Sequence, residues 1–308
     1  MKNVIHNFAA RLALNMKFLA VRLLSISVRI LPFRILLLNS LGVVTGFFSM
    51  LLGIGRWKAI IRFAHHTGSS LAPLKYVARY FIQQSKNGIW GNVFYEAPSL
   101  LDQYIDTKSV ESVRHVMSSG KGAIVIGAHY GPLLQTYLLN RRHLPVKAFM
   151  ARQFASELNS IDRLVLKPLR SGMVAFLTDP GVILVSQGDE RRIIEHIKEG
   201  GVAVMYIDYP GPPGAGKTAT FLGLPMHPHT TLFRLAIKYD IPVFFSFFND
   251  VSDRGYRMNL VPSGDFSTPA EGYQRYADYL QTQIEECPFM WGFLPHFFEI
   301  FQVGTDGV

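Results

Sequence analysis

The chain has 308 residues, which allows two domains or one large α/β unit with an appendage. Apolar types make up 49% and charged types 17%, against about a quarter in ordinary soluble domains, so disordered, collagen-like and coiled-coil readings are excluded. One cysteine, Cys287, excludes a disulfide framework and a cysteine-based zinc site.

The net charge of +9 comes from 31 Lys and Arg against 22 Asp and Glu, and it is unevenly placed. The first acidic residue is Glu96, and 12 of the basic residues precede it. They stand among Phe, Leu, Ile and Val, not in the polar or aromatic-platform settings that bind nucleic acid. An anionic membrane surface accepts cations and apolar side chains together, each nearby Lys or Arg contributing about 1 kcal/mol. Membrane lipids, not nucleic acid, are therefore the expected partner of residues 1–95.

At 100° per residue, Arg11, Arg22 and Arg29 share one side of a helix whose remainder is largely apolar. Residues 35–55 (ILLLNSLGVVTGFFSMLLGIG) carry no charge and approach the ~20 residues needed to cross a bilayer. Polar residues and glycines dilute the stretch, so spanning, in-plane burial and a core helix all stay open. No short apolar stretch ending in a small-residue cleavage site follows Met1, and a cleaved signal peptide is not expected.

From about residue 115 short β-rich runs alternate with helix-period stretches. Strands are expected at 123–127, 146–150, 174–177, 202–208 and 242–248, and helices near 133–140, 156–169, 189–198 and 230–239. Such alternation predicts an α/β domain, residues 96–308, built on a mostly parallel sheet flanked by helices. Residues 270–301 read as helix broken at Pro288.

Reactive groups in open α/β sheets collect in loops at the carboxyl ends of strands. One such loop is Gly127-Ala128-His129-Tyr130-Gly131-Pro132, where His129 suits a general base and the glycine-containing backbone suits close substrate approach. A structural histidine is the alternative. The second loop opens at Asp208 and contains GPPGAGKT, residues 211–218, which satisfies the phosphate-binding pattern G-x-x-x-x-G-K-[ST] with Lys217 as its lysine. That pattern needs a helix directly after the lysine, whereas one Gly and two Pro fall within the next ten residues. A nucleotide-binding reading is therefore the weaker one. Two histidines, His227 and His229, lack an identifiable third ligand, and no metal site is expected.

Taken in order, the His129 loop, Arg152 after the strand VKAFM, Asp208 in a Gly/Pro loop, FLGLP before a helix, the strand IPVFFSF, and Pro288-Phe289-Met290-Trp291 with His296 shortly after resemble the bacterial lysophospholipid-acyltransferase-like superfamily. The resemblance is closest to its lipid A biosynthesis (lauroyl/myristoyl) acyltransferase branch, whose members also begin with a basic apolar segment. It implies a monomeric enzyme of the bacterial inner membrane, its catalytic domain facing the cytoplasm. The reaction implied is transfer of a fatty acyl group from acyl carrier protein or coenzyme A to a hydroxyl or amine of a lipid, with no cofactor beyond that thioester. His129 would be the base. Arg152 and Lys217 would meet phosphates, and backbone N–H groups near Gly131 or in the 208–211 loop would hold the oxyanion.

The family pattern is His-x4-Asp/Glu, and here Leu134 occupies the acidic position. Asp208 could orient the imidazole instead, as could a neutral group such as Gln135 or Tyr130. The remaining possibility is a catalytically silent lipid-binding relative.

Overall fold

The computed structural model describes Leu23 and residues 34–151, 182–185, 190–210, 219–251 and 255–301. Arg11, Arg22 and Arg29 of the expected basic helix, the helix at 156–169, the strand at 174–177, Arg152, Lys217 and the 211–218 motif lie outside the described residues.

Three helices come first: α1 (Arg34–Leu52), α2 (Ile54–His66) and α3 (Pro73–Glu96). The charge-free stretch is thus one helix that stops at Leu52. Its buried residues, Leu38, Gly42, Gly46 and Met50, recur every four positions and form one stripe. The glycines let the backbones approach: a Cβ on Gly42 would lie 2.4 Å from Lys86 Cγ, and one on Gly46 2.5 Å from Ile82 Cα, both on α3. Trp90 Nε1 of α3 donates to Asn39 Oδ1 at 3.3 Å. The other side of α1 carries exposed Leu36, Val43, Val44, Phe47, Phe48 and Leu51. Only 22% of the most apolar stretch of α1 is buried, so it is no core helix, and it is long and apolar enough to cross a membrane.

The sheet has seven strands in the order β1-β9-β8-β2-β5-β3-β4. They are β1 (Ile105–Asp106), β2 (Ala123–Gly127), β3 (Val146–Ala151), β4 (Val182–Val185), β5 (Val202–Tyr206), β8 (Val243–Asp250) and β9 (Tyr256–Pro262). β8, β2, β5, β3 and β4 run parallel; β9 runs against β8 and parallel to β1. Outside the sheet, β6 (Ala219–Phe221) and β7 (Leu224–Met226) form a hairpin. Among the described residues five further helices matter: α4 (Val110–Ser118), α5 (Gln135–Arg141), α6 (Glu190–Lys198), α7 (Thr231–Tyr239) and α8 (Pro269–Glu286).

The α/β expectation and its mostly parallel sheet are thus observed. β2 is buried along its whole length, as a central parallel strand with both faces covered must be. α8 is capped by Thr268, which accepts from the Glu271 N–H, with Pro269 at its first position. One hydrophobic core joins Leu38, Phe63 and Trp90 of the N-terminal helices to Val125, Phe247 and Tyr276 of the α/β layers.

Candidate active site

β2 and β5 are neighbours in parallel register, with Gly127 opposite Tyr206. Two residues past each strand end stand His129 and Asp208. The chain therefore delivers both side chains to the same place at the carboxyl edge of the sheet. Asp208 Oδ1 lies 2.8 Å from His129 Nδ1, and Asp208 Oδ2 accepts the His129 backbone N–H at 2.8 Å. Trp291 Nε1 donates to the same Oδ2 at 3.0 Å.

The Asp208 side chain is wholly buried, whereas 31% of the His129 side chain remains exposed. An unpaired buried carboxylate would be costly, and three N–H donors offset that cost. Burial alone would lower the His129 pKa; the Asp208 charge and its hydrogen bond outweigh it and hold the pKa above the ordinary 6.5. With Nδ1–H donated to Asp208, the Nε2 lone pair is left for a substrate proton. Phe293 packs against the imidazole at a tilt of 41°, centroids 4.3 Å apart, and the Tyr206 ring lies at 5.4 Å.

The His129 loop is clamped by the segment after Pro288. Gly131 N–H donates to Met290 O at 2.9 Å, Gly292 N–H donates to His129 O at 2.7 Å, and Tyr130 bridges Trp291. Gly131 has φ +78° and its Cβ would fall 2.7 Å from Phe248 Cβ, so glycine is required there. Below the loop, Tyr276 Oη donates to Gly127 O at 2.8 Å and fixes the end of β2. Trp291 is itself held among Phe63, Phe221 and Phe297.

Of the sequence candidates, His129 and Asp208 come together. Others take different places. The Gly131 N–H is already given to Met290, so it is not an open oxyanion donor. Tyr130 is buried and turns away, its hydroxyl donating to Gln283 O at 2.7 Å and lying 3.0 Å from Cys287 O. Gln135, fully buried at the start of α5, accepts from Tyr206 Oη at 2.7 Å and does not orient the imidazole. Leu134 is buried in the core. The segment after residue 218 is the β6–β7 hairpin and not the helix that a phosphate-binding loop requires. No group of three metal-ligating side chains occurs among the described residues.

Sequence reasoning missed three contributors. Trp291 bonds the Asp208 carboxylate, Phe293 packs against the imidazole at a tilt, and Gly292 binds the His129 carbonyl. A Cβ on Gly292 would lie 3.2 Å from His129 O, 3.7 Å from His129 Cβ and 3.8 Å from Gln84 Oε1. Gly292 also lines a cleft of about 660 Å³ among α1, α2 and α3, together with Ser49, Leu52, Arg56, Tyr80 and Gln84 among others.

Compared with protein-family models and with curated proteins, the sequence returns no match.

Proposed function

We propose that the protein is a membrane-associated acyltransferase that moves a fatty acyl group from an acyl thioester, on acyl carrier protein or coenzyme A, to a hydroxyl or amine of a lipid acceptor. The observation that carries this reading is the His129–Asp208 pair, a partly exposed imidazole tied through Nδ1 to a buried carboxylate. It is supported by the exposed apolar face of α1 beside a cleft whose wall includes Gly292, bonded to the His129 carbonyl.

A thioester carbonyl is already electrophilic, so the protein has two tasks: activating the acceptor and accommodating the oxyanion. His129 Nε2 takes the acceptor proton as the oxygen or nitrogen bonds to the carbonyl carbon. A base placed this way contributes about 10²–10⁴-fold. The imidazolium that forms is stabilised by Asp208. Collapse of the tetrahedral intermediate breaks the carbon–sulfur bond, and the imidazolium returns its proton to the thiolate. Ester or amide and a thiol leave, and His129 is neutral again.

The test is transfer of radiolabelled acyl chains from acyl carrier protein or coenzyme A to total membrane lipid by the full chain in detergent. Transfer that disappears in His129→Ala, with the thermal melting profile preserved, supports the reading. Undiminished transfer in that variant removes His129 as base, and absence of transfer by the native chain with either donor favours a silent lipid-binding relative.

A further inference from the structure

The cleft beside His129 has a chemical character of its own. Ser49, Tyr80, Gln84 and Ser85 line it with neutral hydrogen-bonding groups, and Arg56, near the start of α2, is the one charged residue in its wall among the described residues. Arg56 has no carboxylate partner among the described residues, and no acidic residue exists anywhere before Glu96. Tyr80, in the same wall, donates its hydroxyl to Gly292 O at 3.2 Å, and Gly292 N–H donates to His129 O, so the cleft abuts the His129 loop. The hydroxyl itself is pushed well above its ordinary pKa, burial outweighing the Arg56 charge. Leu52, 89% exposed, lines the cleft and continues the exposed apolar face of α1.

We propose that this cleft seats the phosphate-bearing headgroup of a membrane lipid, with Arg56 on the phosphate and the hydrophobic tails along α1. The proposal takes its catalytic purpose from the acyl-transfer reading, because a headgroup seated there would lie alongside the His129 loop. Its binding chemistry is independent of that reading. A guanidinium offers a planar fork of donors to phosphate, and the neutral groups around it suit ester oxygens and hydroxyls. A phosphopantetheine arm carries phosphate too, but the exposed Leu52 in the wall, continuous with the apolar face of α1, favours a lipid over a soluble carrier.

The test is calorimetric titration of the full chain in detergent with dihexanoyl phosphatidic acid, with dihexanoylglycerol as the phosphate-free control and coenzyme A as the alternative source of phosphate. Loss of a charge-assisted contact predicts about tenfold or greater weakening of phosphatidic acid binding in Arg56→Gln. Lys58→Gln, an exposed cation on the same helix but outside the cleft, leaves binding unchanged, and Arg56→Lys retains part of it. Equal weakening by the Arg56 and Lys58 variants means diffuse surface attraction and overturns the site. So does saturable binding of coenzyme A, and not of phosphatidic acid, that is lost in Arg56→Gln. His129→Ala keeps binding if the proposal holds, so a protein that binds the phospholipid through Arg56 yet transfers no acyl chain defeats the catalytic reading alone. An active transferase whose phosphatidic acid affinity ignores Arg56 defeats this proposal alone.

Discussion

Asp208 grips His129 at two points, its Oδ1 at the ring Nδ1 and its Oδ2 at the backbone N–H, each at 2.8 Å. The carboxylate thus fixes the loop and the ring together, which sets both the position of Nε2 and its basicity.

The pH dependence of transfer follows from that grip. Activity requires neutral Nε2, so the rate rises with pH through a His129 pKa that Asp208 holds above 6.5. In Asp208→Asn the charge is gone while burial remains, and burial lowers the pKa. The acid limb of the profile therefore moves to lower pH, while the maximal rate falls about 10²-fold or more because the imidazolium loses its counter-charge. An acid limb that stays in place in Asp208→Asn would show that another group sets the titration. Rate profiles of the native and Asn forms decide it.

Trp291→Phe keeps the aromatic packing against Phe63, Phe221 and Phe297 but removes the donor to Asp208 Oδ2. A buried carboxylate that loses one hydrogen bond costs about 1–3 kcal/mol. The thermal midpoint should fall while the imidazole contact, made by the other oxygen, survives. Activity at saturating substrate is then reduced far less than in Asp208→Asn, which separates the supporting donor from the orienting acceptor.

Gly131→Ala places a methyl group where φ is +78° and Phe248 Cβ is 2.7 Å away. The left-handed backbone alone costs about 1–2 kcal/mol, and the steric conflict adds to it. Stability in detergent should drop by about 2 kcal/mol or more, read as a lowered unfolding midpoint. A midpoint unchanged from the native chain would mean that the loop can re-form without its pairing to Met290.

The parallel sheet was legible because its buried strands are short apolar runs between helix-period stretches: β2 falls at the expected residues, and β8 within two residues of them. Strand β9 was missed, since YRMNLVP alternates polar and apolar residues in a way that a surface loop also allows. The β6–β7 hairpin was missed for a different reason. Its turn uses Leu222 and Gly223, both with positive φ, and a leucine is not a turn signal. Within the site, His129 and Asp208 are legible as strand-end residues, and Asp208 as one of several candidates to orient the imidazole. Their contact depends on β2 and β5 being sheet neighbours in register, which no local pattern encodes. Trp291 approaches from the far end of the chain, and its role appears only once the 290–292 segment is paired with the His129 loop.

Leu134 tests the departure from the His-x4-Asp/Glu pattern most directly. If activity awaited an acid at that position, Leu134→Glu would restore it. The structure predicts the opposite. Leu134 is fully buried, and its carbonyl accepts the Leu138 N–H at the start of α5. A glutamate there places a carboxylate in the hydrophobic core, at a cost of several kcal/mol, while Asp208 already occupies Nδ1. The expected result is a markedly lower unfolding midpoint with no gain in acyl transfer. A stable Leu134→Glu protein with increased transfer would show that Asp208 does not orient the base, and the assignment of the pair would fall.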